Sequence, residues 1–379
     1  MSQTEVHGAV EARFASVRDA FAQNFANGQE NGACFCMTLD GKPVIDIWAG
    51  YADEAQARPW QQDTLVNVYS TTKTMTALTA LYLADKGALK FEDPVAKYWP
   101  EFAANGKADV TVAHLMSHSA GLSGWKAPMT REDLYDWEKA TSLLAAQAPY
   151  WQPGSAPGYH AMTQGYLVGE VIRRVAGETV GTVFRKEIAG PIGADFHIGL
   201  PATEDYRVAD LTPPPAGSAM GDGAVDPLIL NLMNPPIDPM DTRTRAWRAA
   251  EIPAAGGTGN ARSVALVHTI LANGGAANGK QIMSEAGCRK ALEFQIEGED
   301  KILKVPVRYG LGFGLPGGIA NFPNPNTIYW GGYGGSLAVI DMDQRATYAY
   351  AMNKMAPTTT GDLRAFGMLM AAWQVFMAG

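Results

Sequence analysis

The stretch ACFCMTLDGKPVIDIWAGYA, residues 33–52, places two runs of alternating apolar residues on either side of Asp40-Gly41, a dipeptide suited to a tight hairpin turn. A matching pattern returns near the end of the chain as SLAVIDMDQRATYAYAMN, residues 336–353, which reads as a second hairpin around Asp343-Gln344. Between these ends the sequence changes character. Residues 163–175 have a helical pattern, and residues 212–241, TPPPAGSAMGDGAVDPLILNLMNPPIDPMD, carry too much proline for regular helix or sheet and read as a long excursion from the core. Val10, Phe14, Val17, Phe21 and Phe25 recur at spacings of three and four, predicting an amphipathic helix over 8–26, and residues 361–377 predict an apolar terminal helix. The economical architecture is an α/β domain made of residues 1–89 and 251–379, closed by both termini, with a mainly helical lobe over 90–250 inserted into it.

Bulk properties exclude several functions. Of the 379 residues, 47% are hydrophobic and 18% charged, which describes a globular chain with a large core. The net charge of −8, with no basic run, leaves no electrostatic footprint for nucleic acid or an anionic membrane. Cys34, Cys36 and Cys288 are odd in number, and Cys34 and Cys36 would share one face of a strand with parallel side chains, so no disulfide framework is expected. Glu5, Glu11 and Arg13 interrupt any secretory apolar region, and no apolar run approaches membrane-spanning length. The expectation is a cytoplasmic protein.

Chemistry concentrates in Tyr69-Ser70-Thr71-Thr72-Lys73 and the helix that follows. From Ser70 up to Asp85, Lys73 is the one charged residue, and apolar or small residues occupy every face, so this helix is expected to be buried all round, ending at a Gly87 cap. Three residues of spacing brings Lys73 to the same face as Ser70. Burial penalises the ammonium form, and a neutral amine beside a serine is a usable base. The backbone N–H of Ser70, at the start of the helix, is a candidate oxyanion donor.

Two further stretches supply partners. Tyr159, in PGSAPGYHA (153–161), stands on a turn-rich loop where a phenol is able to donate or accept a proton. In WGGYGGS (330–336), glycines before an apolar strand permit close backbone approach, and the Tyr333 N–H is a candidate second oxyanion donor. His114 and His118 share a helical spacing, but no zinc signature accompanies them, and no metal site is expected. Ser119 lacks the first glycine of a lipase-type nucleophile elbow. Trp125, Trp137, Trp151, Met233 and Met240 are candidates for an acyl-pocket wall or simply for core.

Together Ser70-x-x-Lys73, Tyr159-His160-Ala161 and Trp330-Gly331-Gly332 resemble, in order and separation, the serine hydrolases of the class C β-lactamase and D-alanyl-D-alanine carboxypeptidase type, and within them the family VIII carboxylesterases. GALKFEDPVAKYWPEF, VTVAHLMSHSAGL and GGTGNARSVALVHTILANGG are also similar to that family, so the resemblance covers roughly residues 15–378. It implies a β-lactamase-like fold, an antiparallel sheet flanked by the N- and C-terminal helices. It further implies Ser70 as acylated nucleophile, Lys73 and Tyr159 as the proton-handling pair, the Ser70 and Tyr333 N–H groups as oxyanion hole, and Trp330, Gly332 and His160 as substrate contacts. No cofactor is implied. Ala161 replaces the family's amide-binding asparagine, and Trp330 replaces the lysine that pairs with a β-lactam carboxylate. Both departures favour small neutral esters, probed as short-chain substrates, over β-lactams or D-alanyl peptides, which are the alternative; a noncatalytic binding protein on the same fold is the alternative from another class.

Overall fold

The computed structural model describes residues 4–215, 228, 234–359 and 361–377. Its centre is a six-stranded sheet: β1 (Val6–Val10), β2 (Gly32–Leu39), β3 (Lys42–Gly50), β4 (Thr327–Gly331), β5 (Leu337–Asp341) and β6 (Ala346–Met352). The order across the sheet is β1-β3-β2-β6-β5-β4, and every pairing is antiparallel. Both expected hairpins are present, and β2 and β6 join the two ends of the chain, with Cys36 opposite Ala349.

The helices of ten residues or more are α1 (Ala15–Ala26), α2 (Thr72–Asp85), α3 (Trp137–Ala146), α4 (Thr163–Ala176), α5 (Ala261–Ala272) and α6 (Leu363–Met377). Adjacent residues of β6 show how the sheet is covered. The Thr347 hydroxyl donates to Ala265 O of α5, whereas the Tyr348 ring meets Trp373 of α6, so the two helices lie on opposite faces. Every residue of β6 is buried, which explains why this strand reads as an apolar run broken only by Thr347 and two tyrosines. The three cysteines are free and buried. Among the described residues no helix is long and apolar enough to cross a membrane.

The N-terminal helix begins later than its periodicity predicts. Val6–Val10 instead pairs with β3 as an edge strand, and only residues 15–26 are α-helical. Val10 fits the helical spacing because it packs against the same core from the sheet, which the pattern alone does not separate from a helix face. Most of the proline-rich excursion, including Met233, lies outside the described residues.

A buried ionic cluster fastens α6 to the sheet. Arg364 Nη1 donates to Glu30 Oε2 (2.9 Å) and Nη2 to Asp362 Oδ2 (2.6 Å), and the Tyr350 hydroxyl donates to Glu30 Oε1. Burial pushes the Glu30 carboxyl up to about 7, against the pull of Arg364. A carboxyl raised from 4.5 contributes stability that is fully present below that value and is lost as pH rises through about 7. The shift corresponds to about 3 kcal/mol at most. Thermal melts of the wild type and Glu30→Gln should therefore converge or cross as pH rises from 4.5 to 7; a difference that is constant with pH would count against a native-state proton on Glu30.

Candidate active site

Ser70 lies in a single helical turn, Tyr69–Thr71, that leads directly into α2. Tyr69 has a φ of +42°, a left-handed conformation that a tyrosine adopts only under constraint. Asn67 supplies part of that constraint: its Oδ1 accepts from Tyr69 N (3.1 Å), and its Nδ2 donates to Ala255 O (3.1 Å). Ser336 supplies another, donating to Val68 O (2.7 Å) and bonding the Thr71 hydroxyl (2.9 Å). The turn that carries Ser70 is thus pinned from two distant parts of the chain.

Lys73 is fully buried one turn further on, with Nζ 3.1 Å from Ser70 Oγ. The same Nζ donates to Ala161 O (2.6 Å) and Ala254 O (3.0 Å). Burial holds this amine well below the usual lysine range, and among the described residues no carboxylate pairs with it. A neutral amine has two N–H bonds and one lone pair. In that form, N–H bonds to the two carbonyls would leave the lone pair for the Ser70 hydroxyl. The carbonyl of Ala254 is itself held by α2, because Thr76 donates to Pro253 O (2.7 Å) and Thr72 Oγ1 accepts from Gly257 N (2.8 Å).

Tyr159 completes the group from the other side, its hydroxyl 2.5 Å from Ser70 Oγ and its ring 5.0 Å from Lys73 Nζ. Burial pushes the phenol up to about 12, despite opposing contributions from Ser70 and Trp330. Burial therefore favours a phenol and an amine over a phenolate and an ammonium.

Trp330 ends in the same aromatic cluster. It stacks on His118 at 5.2 Å and lies 6.0 Å from Tyr159 and 5.5 Å from Tyr309. Beside it a narrow crevice of about 20 Å³ is lined by Tyr159, Leu303, Val307, Tyr309, Ile319, Tyr329, Trp330 and Thr359, none of them charged. A wider pit of about 580 Å³ opens around Trp137, Arg173 and Glu251, but contains none of the residues around Ser70. Size alone therefore misdirects, and the chemistry favours the crevice.

Gly332 approaches the backbone of the Ser70 turn. A Cβ there would stand 2.3 Å from Val68 O, 2.2 Å from Ser336 Oγ and 3.3 Å from Ser70 N. The Ser70 and Tyr333 N–H groups donate to no carbonyl among the described residues. The turn that carries Tyr333 is braced by Arg364, whose Nη2 donates to Gly334 O (3.0 Å).

His160 does not take the substrate-facing place expected of it. It is fully buried, Nδ1 meets Gly158 O at 2.5 Å, and Nε2 accepts from Leu122 N at 2.9 Å, so both ring nitrogens are spent on backbone. Ala161 contributes through its carbonyl rather than its side chain. His114 accepts from Thr111 N as part of a helix cap, and His118 Nδ1 accepts from His160 N. Asn67, Ser336 and the Ala254 carbonyl were missed by sequence reasoning, because the first two act on backbone and the third is backbone.

The family model described as Beta-lactamase matches residues 17–372. The chain belongs to the Beta-lactamase family. It is 36% identical over 365 residues to the protein named Esterase/beta-lactamase LipL of Mycobacterium tuberculosis (strain ATCC 25618 / H37Rv), covering 92% of this chain and 83% of the relative. A crystal structure of a family VIII carboxylesterase superposes with a TM-score of 0.92 at 43% identity, covering 98% of this chain and 100% of that one. A penicillin-binding protein homologue from Caulobacter crescentus gives the same TM-score at 38% identity, again covering 98% and 100%. This Beta-lactamase family member is accordingly a serine hydrolase with a β-lactamase-like fold.

The approach of Gly332 yields a direct test. Gly332→Ala must move either Val68 or the 332–336 turn. On the reading of the Ser70 and Tyr333 N–H groups as an oxyanion hole, the expected result is a folded protein, destabilised by about 1–3 kcal/mol, whose hydrolytic kcat falls by about tenfold or more. Unchanged kcat would show that the two N–H groups do not act together.

Proposed function

We propose that the protein is a carboxylesterase that cleaves small, short-chain neutral esters through an acyl-enzyme. The observation that carries this reading is the hydroxyl of Ser70, held between Lys73 Nζ and Tyr159 OH beside a crevice with no charged lining residue among the described residues. In the resting site the Ser70 hydroxyl donates to the neutral amine of Lys73, and Tyr159 donates to Ser70 Oγ. Attack on the ester carbonyl forms the Ser70 O–C bond as the serine proton passes to Lys73, and the Ser70 and Tyr333 N–H groups receive the carbonyl oxygen as it becomes an anion. Collapse breaks the bond to the alcohol, which leaves with a proton delivered from Lys73 through the Tyr159 hydroxyl. Water then attacks the acyl carbon and gives a proton to the same pair; the Ser70 O–C bond breaks, that proton returns to Ser70 Oγ, and the acid leaves.

Neutral substrates are favoured because Trp330 stands where a cation would be needed to pair with a β-lactam carboxylate. Rapid hydrolysis of p-nitrophenyl acetate, declining along an acyl-chain series and with slow or absent turnover of nitrocefin, is the expected pattern. Ser70→Ala should abolish it, and a fluorophosphonate should label the wild type at Ser70. Full activity in Ser70→Ala would sink the assignment, whereas an unlabelled Ser70 would revive a noncatalytic role.

The pH dependence follows from the direction of the Lys73 shift. Protonation removes the lone pair that accepts the serine proton, so kcat/KM rises with pH through an acid limb set by Lys73. Because burial depresses that amine, the limb should lie well below pH 10.5. An activity that only begins to appear near pH 10 would contradict a neutral resting lysine.

A further inference from the structure

Asp300 was not singled out by the sequence and belongs to no motif quoted above, yet it is fully buried close to the centre of the site. Its Oδ1 accepts three backbone N–H groups: Tyr159 at 3.0 Å, Ile302 at 2.8 Å and Leu303 at 2.9 Å. Its Oδ2 accepts from the Tyr309 hydroxyl at 3.2 Å. A buried carboxylate is costly unless its lone pairs are satisfied, and four donors among the described residues supply this one. The bonds to Ile302 and Leu303 close a local turn. The bond to Tyr159 is different, because it ties that turn to a distant loop, and a second link runs alongside it from Lys301 N to Pro157 O (3.0 Å).

We propose that Asp300 is the positioning residue for Tyr159, clamping its backbone so that the phenol meets Ser70 Oγ and joining it to the Tyr309 and Leu303 walls of the crevice. The inference rests on the esterase reading, in which Tyr159 moves the proton. Tyr159 sits on a loop of residues 150–161 that is rich in turns and contains no regular helix or strand. Such a segment needs an anchor if its hydroxyl is to stay at 2.5 Å from the nucleophile. His118 packs against the ring and Asp300 fixes the backbone.

Because all three backbone donors converge on Oδ1, the two obvious variants separate cleanly. Asparagine keeps an oxygen at that place, whereas alanine leaves the Tyr159 N–H without an acceptor. The experiment measures kcat and KM for p-nitrophenyl acetate and the rate of Ser70 labelling by a fluorophosphonate. Four variants are compared: Asp300→Ala, Asp300→Asn, Tyr159→Phe and the double variant Asp300→Ala with Tyr159→Phe. Asp300→Ala should lower kcat and the labelling rate by about tenfold or more, the scale of a misplaced proton-transfer group, with KM within about threefold. Asp300→Asn should restore most of the loss. In the Tyr159→Phe background, Asp300→Ala should add less than about twofold, since the group it positions is already gone.

Wild-type rates in Asp300→Ala, or a full multiplicative loss on top of Tyr159→Phe, would overturn the proposal, the latter assigning Asp300 to general structure. Should Asp300→Ala fail to fold, Asp300→Ser carries the same cycle, because its hydroxyl stops short of the Tyr159 N–H. Undiminished activity in Tyr159→Phe would instead defeat the parent reading of Tyr159, so the two failures are distinguishable.

Discussion

A lysine amine kept from water is the condition on which the rest of the site depends. Lys73 is fully buried and meets no carboxylate among the described residues, which lowers its affinity for a proton. Dry surroundings alone would leave its N–H groups unpaired, so two backbone carbonyls must be brought to it from the 159–161 loop and the 253–257 segment. The sequence of α2 reflects this demand. Threonines at 72 and 76 cost roughly half a kcal/mol each as helix formers relative to alanine, but their hydroxyls grip Gly257 N and Pro253 O and so fix the Ala254 carbonyl. A helix with no exposed face is therefore chosen for what its side chains hold in place as well as for its packing.

The same logic explains why the site is built mainly from backbone. Carbonyls of Ala161 and Ala254 receive the lysine, N–H groups of Ser70 and Tyr333 meet no carbonyl among the described residues, and side chains such as Asn67, Ser336, Arg364 and Asp300 brace those segments. Substituting Ala161 for an asparagine leaves its contribution to Lys73 intact, since that contribution is a carbonyl. What the resemblance implies is lost with the asparagine is a polar side chain, and the described residues lining the crevice beside Trp330 carry no charge either. Burial and substrate polarity thus point in the same direction.

How much of this was legible in the sequence varies with the range of each interaction. The two hairpins announce themselves through local alternation and turn residues, and Ser70 and Lys73 through a three-residue spacing in a segment otherwise free of charge. Tyr159 became visible only through its motif, because nothing local distinguishes a reactive loop tyrosine from a packing one. His160 was misread for a related reason: its ring is consumed by Gly158 and by Leu122, and the second contact is invisible without the fold. The first strand was masked by a helical spacing that Val10 happens to satisfy from the sheet. Asp300 had no signature at all, since an aspartate that caps a turn and one that steadies a distant loop look alike on paper.

The pairing of β2 with β6 has a temporal side. During synthesis, Ser70 and Lys73 emerge long before residues 327–352, yet the glycine turn after β4 and the strands that carry it belong to that last portion. A nascent chain therefore displays Ser70 before Trp330 and the Ser336 brace on Val68 exist. Long-range sheet closure of this kind also makes the assembly step slow compared with helix formation. The pinned turn around Ser70 is thus among the last features that the growing chain completes.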